Sequence, residues 1–181
     1  MKVPPNISIR AADWHADREI LRALREKVFI REQSVPANME WDEFDPQARH
    51  VVAMADGVPI GTGRLLPDGH IGRMAVLRPW RGLGAGSVLL TGLMEIARAL
   101  GMRRVMLNAQ IQAMPFYLHH GFQPEGEKFL DGHLRVWGEL GTRRHFPSPI
   151  DTLSAVRQGS TCGPAMNTIE DRKIQRSRNR R

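Results

Sequence analysis

Cysteine is nearly absent: Cys162 is the only one among 181 residues. That excludes an internal disulfide, and no Cys/His cluster has the spacing of a zinc site. The place of Cys162 in a polar C-terminal stretch also argues against a thiol nucleophile. No apolar run reaches the roughly 18 residues of a membrane-spanning helix, and the N-terminus has no apolar core of a secretory signal. A soluble, cytoplasmic protein without a resident metal is therefore expected. Two phosphate-binding signatures are missing as well: there is no G-x-x-x-x-G-K-[ST] and no G-x-G-x-x-G. Tyrosine occurs once, at Tyr117, and no internal repeat is visible.

With 41% hydrophobic and 25% charged residues, the chain is long enough for one sizeable core. Its net charge of +7 is unevenly placed. Residues 141–181 hold nine Arg or Lys against three acids, which leaves +1 for residues 1–140. The basicity belongs to the tail, and the body shows no polyanion face.

The pattern along the chain alternates. Residues 7–10 read as a strand, and Asp13 reads as the N-cap of a helix ending near Arg31, with Ile20, Leu21, Leu24 and Val28 on one face. Residues 34–47, with Pro36 and Pro46, read as a loop. Asp56-Gly57 between the apolar runs 50–55 and 58–66 predicts a tight hairpin. A strand at 71–77 precedes a helix at 84–100, whose stripe is Val88, Leu89, Leu93, Ile96, Ala97 and Leu100 and whose stop is Gly101. A strand at 103–109, a short helix at 112–120 and strands at 122–126 and 133–140 complete the order. This predicts an α/β (α+β mixed) domain over 1–140, a mixed, mostly antiparallel sheet flanked by helices. Residues 141–181 are expected to be a flexible basic tail, too polar to order themselves.

The most informative stretch is Arg81-Gly82-Leu83-Gly84-Ala85-Gly86, which follows a strand and opens a helix. A glycine-rich turn at a helix N-terminus presents backbone N–H groups, backed by the helix dipole, to a phosphate-sized anion. Small Ala85 and Ser87 keep its mouth open. The bland alternative is a plain helix-entry turn.

Four blocks in order, Arg73-Met74-Ala75-Val76, Pro79 to Gly86, Leu107-Asn108-Ala109-Gln110, and Pro115-Phe116-Tyr117 with Gly121-Phe122, resemble the GNAT superfamily of N-acetyltransferases. Within it, Phe29-Ile30-Arg31-Glu32-Gln33 and Asp42-Glu43-Phe44-Asp45 resemble the small bacterial ElaA/YjcF-like group, and the likeness covers residues 7 to about 140. The resemblance implies acetyl-CoA as cofactor and acetyl transfer to a primary amine by direct attack in a ternary complex. It implies that Met74, Ala75 and Val76 offer backbone groups to the pantetheine. Arg81, Gly82, Leu83, Gly84, Ala85, Gly86 and Ser87 would bind the diphosphate.

Tyr117 stands where the resembling family has the tyrosine that protonates the departing sulfur. A phenol suits that task because its pKa, about 10, exceeds that of a thiol. Packing beside Phe116 is the alternative. Asn108 is a candidate for cofactor or substrate contact, or else a strand-end turn residue. Glu32 and His133 are the candidate general bases. Glu32, Trp41, Asp42, Asp45, Asn108 and His133 are candidates for the acceptor side, where the acids would attract a cationic amine; each acid can instead be a solvated loop carboxylate. Trp14 and Trp137 read as core covers, and Trp80 as the bulky neighbour of Arg81.

Two rival readings stand beside this one. Arg25, Phe29, Trp41, Asp42, Asp45 and Arg64-Leu65-Leu66-Pro67 also resemble acyl-homoserine-lactone synthases, although those generally lack a turn like 81–86 and differ over 101–140. The other rival is a non-catalytic coenzyme A-binding domain whose tail, with six Arg or Lys in its last ten residues, docks on nucleic acid or an acidic partner. A small-molecule or peptide amine is the expected substrate, and an edge-strand homodimer is a possible assembly.

Overall fold

The computed structural model describes residues 6–126 and 133–140. Seven strands run Ile7–Ala12 (β1), Arg49–Ala55 (β2), Val58–Leu65 (β3), Ile71–Val76 (β4), Arg104–Gln110 (β5), Gln123–Glu125 (β6) and His133–Glu139 (β7). The helices are Arg18–Arg25 (α1), continued by a π-helical segment Glu26–Glu32, then Ala37–Glu40 (α2), Ala85–Ala99 (α3) and Met114–His119 (α4). The antiparallel order β1-β2-β3-β4 forms one sheet, and β5-β7-β6 forms a second, also antiparallel.

The hairpin forms where expected. Asp56 and Gly57 take φ of 49° and 81°, the left-handed pair that matches strand twist in a two-residue turn. The first helix starts later than expected. Asp13 caps only a short turn, its Oδ1 accepting the N–H groups of His15 and Ala16 at 2.9 Å. Helix α1 begins at Arg18, and the carboxylate of Asp17 is taken by Arg10 at 2.8 and 3.1 Å. Its apolar face holds Leu21, Leu24 and Val28, but the wider π turn also turns Phe29 inward, fully buried. The stretch 34–47 is less irregular than expected, because α2 and a turn of 3-10 helix at Asp45–Gln47 fold it back on the sheet.

Helix α3 covers one face of the first sheet. Its Leu89, Leu90 and Leu93 are fully buried and pack with Met74, Val76, Leu107, Val136 and Tyr117 in one apolar cluster. The close fit depends on glycine in β3: a Cβ on Gly61 would lie 2.8 Å from the carbonyl oxygen of Ala75. The opposite face of β4 carries a smaller cluster, in which Ala75 meets Val28, Phe29 and Val35.

Candidate functional site

Among the described residues, the backbones of the two sheets pair at a single parallel bridge, His70 to Met106, reinforced by the Met106 N–H donating to the Gly69 carbonyl at 3.0 Å. Beyond it no further pairing joins β4 to β5 among the described residues, so β4 is an edge strand with backbone groups turned toward the gap. The strand is also irregular there. Thr62 pairs with Ala75 and Arg64 with Gly72, so Gly63 alone opposes Arg73 and Met74, a bulge with Arg73 at φ 51°. Bulges re-aim a strand next to functional sites, and a left-handed arginine is strained backbone. Met74, Ala75 and Val76 therefore lie at the open edge, just past this kink.

Helix α3 starts at the end of that edge. Its N-cap, Gly84, sits at φ 91°, where only glycine is unstrained, and no side chain caps the helix. Gly84, Ala85, Gly86 and Ser87 are buried, whereas Gly82, at φ 74°, and Leu83 are exposed. An α-helix leaves its first N–H groups without internal partners. A buried start with no cap, beside an arginine, suits an anionic group, so these residues fit a coenzyme A diphosphate. Arg81 is already engaged: its Nε donates to the Val76 carbonyl at 2.9 Å, and its two terminal nitrogens donate to Glu32 at 2.5 and 2.8 Å. That pair holds the Glu32 carboxyl below the ordinary carboxylate range.

Asp42 and Asp45 lie in a buried ion cluster. Arg64 donates through two nitrogens to Asp42 at 2.7 and 2.9 Å and to Asp45 at 2.7 Å. Arg25 donates to Asp45 at 2.7 Å and to Glu40 at 2.6 Å, and Arg73 reaches Asp42 at 3.2 Å and Glu40 at 3.4 Å. Three guanidiniums thus meet three carboxylates. Burial opposes ionisation of Asp42, but the hydrogen bonds of Arg64 and the surrounding arginine charge outweigh it and hold the carboxyl at about 2. Both acids are spent on arginines, and the structure replaces the picture of solvated carboxylates with an ion cluster. Trp41 covers it, with Arg22 and Arg25 over its ring at 4.2 and 4.9 Å. His50 closes the far side, stacked on Trp14 and hydrogen-bonded through Nε2 to the Asp45 carbonyl at 2.8 Å. No local pattern in the sequence pairs Glu40 with Arg73, 33 residues on. A charged residue inside the apolar strand runs Gly63-Arg64-Leu65 and Gly72-Arg73-Met74 was the available signal.

Across the gap, Tyr117 on α4 is 1% exposed, edge-on to Phe116 and Phe122, in the same cluster as Met74 and Val76. Asn108 is buried in β5, opposite Arg135 of β7, whose other neighbour is Glu125. His133 pairs in register with Gln110; its side chain, like the tail 141–181 with Cys162, lies outside the described residues. Among the described residues, no group of His, Cys, Asp or Glu could hold a metal ion, and no helix is long and apolar enough to cross a membrane.

Comparison with known proteins agrees with this geometry. Residues 14–122 match the acetyltransferase (GNAT) family. The uncharacterized N-acetyltransferase YjcF of Bacillus subtilis (strain 168) is 40% identical over 120 residues, 62% of this chain and 86% of that protein. The crystal structure of Escherichia coli ElaA superposes with a TM-score of 0.66 at 25% identity, over 74% of this chain and 99% of that one. An acyl-CoA N-acyltransferase from Pseudomonas aeruginosa gives 0.64 at 28% identity, over 74% and 99%.

Proposed function

The chain belongs to the GNAT family of acetyltransferases, and on that premise we propose that it moves the acetyl group of acetyl-CoA to a primary amine by direct attack in a ternary complex. The observation that carries the proposal is the junction of an open strand edge at Met74–Ala75–Val76 with a buried, uncapped helix start at Gly84. Strand edge and helix start together suit a ligand with amides at one end and a diphosphate at the other. Acetyl-CoA supplies the activated acetyl thioester.

The chain's own residues then have limited tasks. The N–H groups of residues 84–87 and the charge of Arg81 hold the diphosphate, and the backbone of residues 74–76 orients the arm. Tyr117 keeps a proton on its phenol oxygen and releases it to the departing sulfur, and the proton that the attacking nitrogen sheds on forming the amide restores the phenol. The apolar packing around that ring excludes water. Asn108 and His133 are assigned to the acceptor side, and the ion cluster of Asp42 and Asp45, covered by Trp41, to its wall. No covalent intermediate on the protein is required, since positioning a reactive thioester accounts for the step.

Calorimetry with acetyl-CoA and thiol release across a panel of amines test the proposal. Tyr117→Phe is expected to lower turnover by roughly 10²-fold or more while cofactor affinity changes little. Gly84→Val is expected to weaken cofactor binding first, because valine resists the left-handed backbone. Equal losses of turnover and affinity in both variants would reject these roles.

A further inference from the structure

Arg81 and Glu32 stand 49 residues apart in sequence and meet at the mouth of the α3 turn. Three of the five guanidinium N–H groups are engaged: Glu32 accepts one from each terminal nitrogen, end-on, and the last carbonyl of β4 accepts that of Nε. The carboxylate is also held in place from behind. It ends the π-helical segment, whose Val28 and Phe29 are packed on Ala75 of β4. Side-chain exposures of 14% for Arg81 and 34% for Glu32 leave the pair at the surface, where an incoming anion can reach it.

A diphosphate gripped end-on by Arg81 at the start of α3 would compete for the fork that Glu32 now holds, because one end of a guanidinium pairs bidentately with one planar pair of oxygens at a time. Glu32 is therefore placed at the diphosphate end of the open edge, beside Val76. We propose that Glu32 is a built-in competitor for the cofactor diphosphate: Arg81 closes onto Glu32 when the turn is free and exchanges it for the diphosphate when coenzyme A binds. The exchange leaves Glu32 near Arg78, whose charge also acts on this carboxyl, so the released group keeps a counter-charge. The effect is to hold coenzyme A affinity below what the turn alone would give, which favours release of the spent cofactor after each turnover.

The inference rests on the acetyl-CoA reading above, and the test separates the two. Coenzyme A is titrated calorimetrically, at low salt, into the full chain and into Glu32→Gln, Glu26→Gln, Arg81→Lys and the Glu32→Gln/Arg81→Lys double variant. Glu32→Gln is expected to bind coenzyme A roughly three- to tenfold more tightly, up to about 1.4 kcal/mol. Glu26→Gln removes a carboxylate of the same segment that pairs with Arg31 instead, and it is expected to leave affinity unchanged. On the Arg81→Lys background, which has no fork to share, most of the gain is expected to vanish. Unchanged or weaker binding by Glu32→Gln overturns the competitor, as does an equal gain in Glu26→Gln or on the Arg81→Lys background. Absence of any coenzyme A binding by the unmodified chain overturns the functional reading itself.

Discussion

Replacing Asp42 by Asn removes one negative charge from a buried set of three guanidiniums and three carboxylates while keeping the side chain's shape. In the intact protein, Asp42 accepts two hydrogen bonds from Arg64, one from Arg73 at 3.2 Å, and one from the Phe44 N–H at 3.1 Å. The carboxamide has a single acceptor oxygen, and its NH2 would point at arginine donors. Arg64 is 3% exposed, so it cannot turn to water for compensation. Breaking a buried pair from one side costs about 3–5 kcal/mol, a large part of the roughly 5–15 kcal/mol that holds a domain together.

The pH dependence follows independently. A carboxyl held at about 2 instead of its ordinary 3.8 represents about 2 kcal/mol at neutral pH. Because the folded value is depressed, this contribution is complete above 3.8 and is lost as pH falls from there through about 2. Denaturant titrations of both proteins at neutral pH and along the acid limb should show the gap narrowing by about 2 kcal/mol. The remainder persists, since even a protonated carboxyl keeps an acceptor that the carboxamide misdirects. A cost under about 1 kcal/mol, the range of an exposed pair, or a gap that stays constant in acid, refutes the account.

Two further outcomes concern stability. Gly61→Ala is expected to cost about 1–3 kcal/mol, because the new methyl would lie 2.8 Å from the Ala75 carbonyl oxygen, a backbone atom. Gly63→Ala is expected to cost less, since its nearest neighbours are the side-chain atoms Leu93 Cδ1 at 2.9 Å and Met74 Cγ at 3.3 Å; the reverse order in thermal unfolding contradicts this. Burial holds the His50 and His120 rings below their ordinary value of 6.5. Such rings bind fewer protons folded than unfolded, so Tm should fall as pH drops from about 7.5 to 5.5. A rise over that range rejects the assignment, and His50→Gln should remove part of the slope.

What the amino-acid sequence determined by itself was everything carried by neighbours within a turn or two. Asp56-Gly57 specifies its hairpin because both residues tolerate left-handed backbone. The 3.6-residue stripe of Leu89 and Leu93 announces α3, and Gly84 marks its start through a conformation other residues resist. The GNAT family was legible for the same reason, since its blocks are local strings in a set order. The tertiary structure alone decided which charges meet. Arg64 finds Asp42 and Asp45 from 22 and 19 residues away, Arg73 finds Asp42 across 31, and Arg81 finds Glu32 across 49. No spacing rule encodes such pairs: their partners are set by how 34–47 folds over β3 and β4, and by where the π turn delivers the end of the first helical stretch. Charge in a sequence shows that a group must be hydrated or paired, and only the packed chain shows which.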